Sequence, residues 1–119
     1  MKVAISTVGN SLDSPVDFRF GRAKNFLVYD TEEKDFQVIE NRQNLNLPQG
    51  AGIQAAQNVA NLGVDAVITG HVGPKAYQTL KAADIDIYLI NEGTVNEALQ
   101  KLQENKLSKA QGPDKEGHW

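Results

Sequence analysis

The sequence predicts an α/β fold in which a mixed five-stranded sheet lies between helices on both faces. Three observations predict it. The N-terminus holds a continuous apolar segment, typical of a buried strand, and a hairpin of two alternating strands follows. The second half alternates short apolar strands with amphipathic helices, which requires parallel strands joined by right-handed crossovers. The length of 119 residues suits one domain.

The first three strands are predicted in the N-terminal third of the chain. Residues 2–7 include the apolar run Val3, Ala4 and Ile5, and the polar, glycine-containing segment 8–24 is predicted as a loop. Residues 26–30 and 36–39 alternate in polarity. Because only the charged turn 31–34 separates them, we expect an antiparallel hairpin.

Three helices and two strands are predicted after a polar loop at residues 41–50. They are a helix at 51–63 that ends at Gly63, a strand at 65–69, a helix that begins at Pro74, a strand at 85–90, and a helix capped by Thr94 and Glu97. From Ser108 the chain is polar. We therefore expect a single domain at 1–107 and a flexible tail at 108–119.

This order predicts a ribonuclease-H-like, three-layer arrangement with strand order 3-2-1-4-5, in which strand 2 is antiparallel. Four connections then share one edge of the sheet: the loop after the first strand, the loop 41–50, and the turns 70–74 and 91–94. The chain order reverses between strands 1 and 4, and open α/β sheets bind ligands at such a switch point. We expect the binding site there.

Glycines and cations at this edge are the candidate binding residues. Two predicted helix N-termini could present unpaired N–H groups to an anion, and nearby cations could add positive charge. These candidates are Gly50, Gly52, Gly70, Gly73, Arg19, Arg22 and Lys75. The alternative is that the glycines only make tight turns and that the cations are solvated. Neither segment is a Walker A motif or a dinucleotide fingerprint.

His71 follows the fourth predicted strand and suits a metal ligand or a hydrogen-bond donor to an anionic cluster. One histidine is not a metal site, so residue chemistry alone favours a His that decorates the turn. The chain has no cysteine, which excludes disulfides and thiolate-ligated metal centres. His118 and Trp119 are expected to be solvated at the terminus.

Charge and hydropathy argue against nucleic-acid and membrane partners. The net charge is −3, so the chain has no electrostatic footprint for DNA or RNA. No apolar run approaches the roughly 18 residues of a membrane helix, and the N-terminus does not resemble a signal peptide. We therefore expect a cytoplasmic, soluble protein.

Three segments carry a family resemblance. They are Phe-Gly-Arg-Ala at 20–23, Gly-Ala-Gly-Ile-Gln-Ala-Ala at 50–56, and Ile-Thr-Gly-His-Val-Gly-Pro-Lys-Ala-Tyr at 68–77. Together they resemble the dinitrogenase iron–molybdenum cofactor biosynthesis family, which includes nitrogenase accessory factors and the molybdenum–copper orange protein group. The resemblance covers about residues 1–107. It implies the ribonuclease-H-like fold and noncatalytic binding or delivery of a metal–sulfur cluster.

The resemblance also implies which residues contact the cluster: His71 with Gly70 and Gly73, and the loop that bears Arg22. Some relatives carry a cysteine in this turn, where the chain has Val72, so thiolate ligation is out of reach. The expected mode is noncovalent capture of a cluster of molybdenum with iron or copper. Its expected partner is a protein that receives the cofactor, and both a monomer and a homodimer remain open.

The sequence also bears on two other function classes. A two-metal nuclease of this fold needs clustered carboxylates, and the first strand carries no acid, so we expect no enzyme activity. A regulatory module that binds a small anion or a nucleotide in the same crevice remains the alternative, because helix N-termini suit phosphate equally well.

Overall fold

The computed structural model describes residues 1–41 and 51–112, without the side chain of Ala51. The predicted loop at 42–50 therefore lies outside the described residues. The strands are β1 (Lys2–Thr7), β2 (Asn25–Asp30), β3 (Asp35–Glu40), β4 (Ala66–Thr69), β5 (Asp86–Leu89) and β6 (Ser108–Lys109). The helices are α1 (Ala51–Ala60), α2 (Pro74–Ala82) and α3 (Val95–Gln103), with a short 3-10 helix at Phe20–Arg22. The described part is thus a mixed α/β fold.

One sheet joins the six described strands in the order β3-β2-β1-β4-β5-β6. Strands β1, β4 and β5 are parallel, and β2 is antiparallel to both of its neighbours. The prediction of five strands is wrong, because Ser108 and Lys109 pair antiparallel with Leu89 and Tyr88. This strand lies where a flexible tail is predicted, and residues 113–119 of that tail lie outside the described part.

Helices cover both faces of the sheet. Apolar residues of α1 and α2, such as Val59 and Leu80, form one core with Val67 and Ile87 of the sheet. The second core, on the opposite face, joins α3 to β1 and β4. The alternation predicted for β2 is confirmed, since Phe26 and Val28 belong to the first core and Leu27 to the second. None of the helices in residues 1–41 and 51–112 has the length and apolar character needed to cross a membrane.

The predicted capping box of α3 is confirmed. The Thr94 hydroxyl accepts a hydrogen bond from the Glu97 N–H at 3.3 Å, and the Glu97 carboxylate accepts one from the Thr94 N–H at 3.0 Å. Thr94→Ala should lower the free energy of unfolding by about 1 kcal/mol, because it leaves a helix-end donor unsatisfied. Urea denaturation followed by circular dichroism measures this loss.

Thr79→Ala is the matched control for this prediction. The Thr79 hydroxyl only donates to the Lys75 carbonyl, one turn earlier in α2, at 2.9 Å. This bond caps no helix N-terminus, so the free energy of unfolding should change by no more than about 0.5 kcal/mol. Equal losses in both variants would show that the capping box has no special effect on stability.

A candidate anion-binding groove at the carboxyl edge of the sheet

The switch point between β1 and β4 is covered by the loop that follows β1. The Asp17 N–H donates to the Ser6 carbonyl at 2.8 Å, and the Ser6 hydroxyl donates to the Asp17 carbonyl at 2.5 Å. The hydroxyls of Ser6 and Thr69 lie 2.7 Å apart. Ser6 and Thr69 are fully buried and Asp17 is only 6% exposed. These polar groups are satisfied by the chain itself, and the groove open to a ligand lies farther along the edge.

The same loop also fixes the turn that carries His71. Arg19 and His71 form a parallel β-bridge, and the Phe20 N–H donates to the His71 carbonyl at 3.3 Å. A Cβ atom at Gly70 would lie 2.5 Å from Phe18 Cβ and 2.8 Å from Phe18 Cα. Packing therefore requires glycine at position 70, because only a residue without a side chain lets the loop cross the end of β4.

An open groove begins at this turn and extends to α3 and β6. It has a volume of about 720 Å³. Its lining contains four apolar residues, Phe18, Leu89, Ile90 and Leu107, with Gly70, His71, Asn91, Lys101, Lys106 and Ser108. None of these described lining residues is acidic, so the charge that they give the groove is positive. A groove of this size with a few convergent polar groups is typical of a small-ligand site.

Two lysines supply the positive charge. Lys101 is partly buried in the last turn of α3 and forms no ion pair within the described residues. Lys106 is more exposed, and its Nζ lies 3.1 Å from Oε1 of Glu104. The hydrogen bond from Lys106, followed by one from Gln100, lowers the pKa of the Glu104 carboxyl. Glu104 is therefore ionised at neutral pH and holds Lys106 at the rim of the groove.

The structure separates the candidate residues of the sequence into two groups. Gly70 and His71 line the groove. The others do not line it. Gly73 is the buried N-cap of α2, Lys75 is exposed in its first turn, and Gly52 lies in the first turn of α1. Arg22 is exposed in the 3-10 helix, and Arg19 pairs with Asp17 at 3.6 Å. Gly50 lies outside the described residues. The two helix N-termini belong to the layer on the opposite face of the sheet from α3.

Sequence reasoning missed Lys101 and Lys106. The predicted sheet ends at the fifth strand, so the prediction gives no reason for the segment after α3 to return to the carboxyl edge. The pairing of Ser108 with Leu89 brings it there. The signal that was present is Asn105, a residue type that favours the left-handed conformation in which a helix ends and its chain turns back.

The lining is suited to holding a preformed anion. Within residues 1–41 and 51–112, no three His, Asp or Glu side chains stand close enough together to hold a metal ion. The groups that are present are ammonium groups, an imidazole, an amide and a hydroxyl. These can neutralise and hydrogen-bond an anionic surface without replacing the ligands of its metals.

Comparison with known proteins places the chain in a family. The family model described as dinitrogenase iron–molybdenum cofactor matches residues 1–105. The apo orange protein of Desulfovibrio gigas is 40% identical, with 96% of each chain covered and a TM-score of 0.91. A Thermotoga protein solved by NMR is 36% identical, with 98% of each chain covered and a TM-score of 0.80. An uncharacterized protein of Methanocaldococcus jannaschii is 37% identical over 112 residues, which are 92% of this chain and 91% of the relative.

These matches confirm the resemblance that the three sequence motifs indicate. The family model covers all three, at residues 20–23, 50–56 and 68–77. The orange-protein match extends over nearly the whole length of both chains. The chain belongs to the dinitrogenase iron–molybdenum cofactor family.

Proposed function

We propose that this protein is a noncatalytic, cytoplasmic carrier that binds an anionic metal–sulfur cluster of molybdenum with iron or copper and delivers it to a recipient protein. Family membership over residues 1–105 carries the proposal, because it supports a role in iron–molybdenum cofactor biosynthesis or cluster binding. It does not favour the regulatory small-anion module. We also propose that its fold is ribonuclease-H-like and that it acts as a monomer or a homodimer.

The groove supports this function by its shape and charge. The cluster is the cargo, and its sulfide surface would meet ammonium and imidazole groups together with the apolar side chains of Phe18 and Leu107. Charge-assisted hydrogen bonds are strong enough to hold an anion in an open groove with a partly apolar lining. They are also reversible, which a carrier needs because it must release the cluster intact.

His71 is the residue we propose as the direct contact, since it lines the groove and lies at the turn of the longest family motif. His71→Ala should reduce the amount of cluster retained after anaerobic loading and desalting by roughly threefold to tenfold, the effect of one lost polar contact. Molybdenum, iron, copper and sulfide analysis measures retention, and the visible absorption spectrum reports whether the cluster is intact.

Gln78→Ala, an exposed change on α2 outside the groove, is the control for His71→Ala. Its retention should equal that of the unchanged chain. Full retention by His71→Ala would show that His71 does not contact the cluster. Arg22→Ala and Lys75→Ala complete the set of variants. Lower cluster retention in these two, with full retention in His71→Ala, would show that the cluster binds near the N-terminus of α2.

A further inference from the structure

We propose that Lys101 and Lys106 bind the negative charge of the cargo, and that Glu104 holds Lys106 until the cargo replaces it. The inference rests on the proposed function and assigns its charge recognition to the segment that joins α3 to β6. The ligand class is an anionic thiometallate unit with sulfide atoms on its surface.

The end of α3 brings the two lysines together. The Lys106 N–H donates to the Lys101 carbonyl at 2.9 Å, and the Asn105 N–H donates to the Leu102 carbonyl at 3.1 Å. Asn105 has a φ of 58°. These three features are those of a Schellman motif, which reverses the chain at a helix C-terminus. The backbone therefore fixes the spacing between the two lysines independently of their side chains.

The strand β6 then fixes this pair against the turn of His71. Ser108 pairs with Leu89 of β5, and the Ala110 N–H donates to the Ile87 carbonyl at 2.7 Å. Lys106, Leu107 and Ser108 form one wall of the groove as a result, while Gly70 and His71 belong to the other. An anion between the walls would meet positive charge from α3 and a polar turn from β4.

The charge balance favours an anion even though a helix C-terminus faces the groove. The unpaired carbonyls at the end of a helix are equivalent to roughly half a negative charge. Two ammonium groups outweigh this charge, and no lining residue in the described part of the chain is acidic. While Glu104 pairs with Lys106, Lys101 alone more than offsets the helix end, and the positive charge grows when that ion pair opens.

Glu104 lies where an arriving anion can replace it. Its ion pair with Lys106 is solvent-exposed, with 66% of the lysine and 42% of the glutamate side chain accessible. Exposed ion pairs contribute little to stability, so this pair can open at small cost. An anion in the groove would attract Lys106 and leave the Glu104 carboxylate in water. Glu104 thus competes with the cargo for one of its two cations.

Anaerobic titration with tetrathiomolybdate tests the inference in the full chain. Lys101→Gln and Lys106→Gln should each raise the dissociation constant by roughly threefold to tenfold, since each removes one partly exposed charge contact. Glu104→Gln should lower the dissociation constant by about twofold to threefold, because Lys106 is then free of its ion pair. Glutamine preserves most of the side-chain length, and the circular dichroism spectrum should not change.

Lys109→Gln is the matched control. Lys109 lies on β6, three residues from Lys106, but pairs with Asp86 at 3.5 Å, stands over the Tyr88 ring and does not line the groove. Its neutralisation should leave the dissociation constant unchanged. An equal loss in all three lysine variants would show diffuse charge attraction and overturn the assignment.

The outcomes separate this inference from the proposed function. Binding by the unchanged chain, with no weakening in Lys101→Gln and Lys106→Gln, would overturn the lysine assignment and leave the carrier function standing. A chain that binds neither tetrathiomolybdate nor a preformed metal–sulfur cluster would overturn both.

Discussion

Phe20→Ala should lower the free energy of unfolding by about 3–5 kcal/mol, the usual cost of removing a fully buried phenylalanine. Phe20 is 0% exposed, and its ring centroid lies 5.2 Å from that of Phe26 in β2. It belongs to the core beneath α1 and α2. Urea denaturation monitored by circular dichroism measures the loss. The first family motif, residues 20–23, thus begins with a packing residue.

Phe36→Ala is the matched control, since Phe36 is 41% exposed on the edge strand β3. Its loss should stay below about 1 kcal/mol, because a large part of its side chain is already in water. Phe20 also anchors the 3-10 helix that contains Arg22, so the variant should loosen the loop covering the switch point. A loss from Phe20→Ala no larger than that from Phe36→Ala would contradict this packing.

Gly70→Ala should cost about 1–3 kcal/mol of stability and weaken cluster binding at the same time. The added Cβ would lie 2.8 Å from both the Cα and the carbonyl oxygen of Phe18, and a backbone cannot move aside as a flexible side chain can. Separation of the loop from β4 would displace His71, whose carbonyl accepts from Phe20. Denaturation and anaerobic titration of the same variant measure the two effects.

Gly112→Ala is the control for Gly70→Ala, because a Cβ at Gly112 would meet nothing within 4 Å among the described residues. Neither stability nor binding should change in it. A Gly70→Ala variant as stable as the parent chain would mean that the loop does not cross the end of β4 as described. A loss of stability with full binding would separate the packing of Gly70 from the site.

Much of the fold could be predicted because its elements have strong periodic signals. Val3, Ala4 and Ile5 form a continuous apolar run, and the structure buries all three in β1. Helix α2 begins at Pro74 as predicted, because the ring fixes the φ that the first turn needs. Strand β6 was missed because two exposed residues, Ser108 and Lys109, have no periodicity to detect.

The candidate site was predictable only on one side. The turn of Gly70 and His71 follows from a strand that leads into a helix, which local sequence shows well. The other wall depends on the pairing between β5 and β6, which the periodicity of the sequence does not reveal. The filling of the switch point by Ser6, Asp17 and Thr69 also depends on the path of a loop, and polar residues alone do not specify that path.

The most direct test of the groove as the cluster site is an anaerobic titration of the ¹⁵N-labelled chain with tetrathiomolybdate, followed by its backbone amide chemical shifts. The account predicts saturable shifts concentrated at residues that line the groove, with the largest at Gly70, His71, Asn91, Lys106 and Ser108. Saturable shifts confined to the acidic surface around Asp30, Glu33 and Asp35, or no shifts at all, would contradict it.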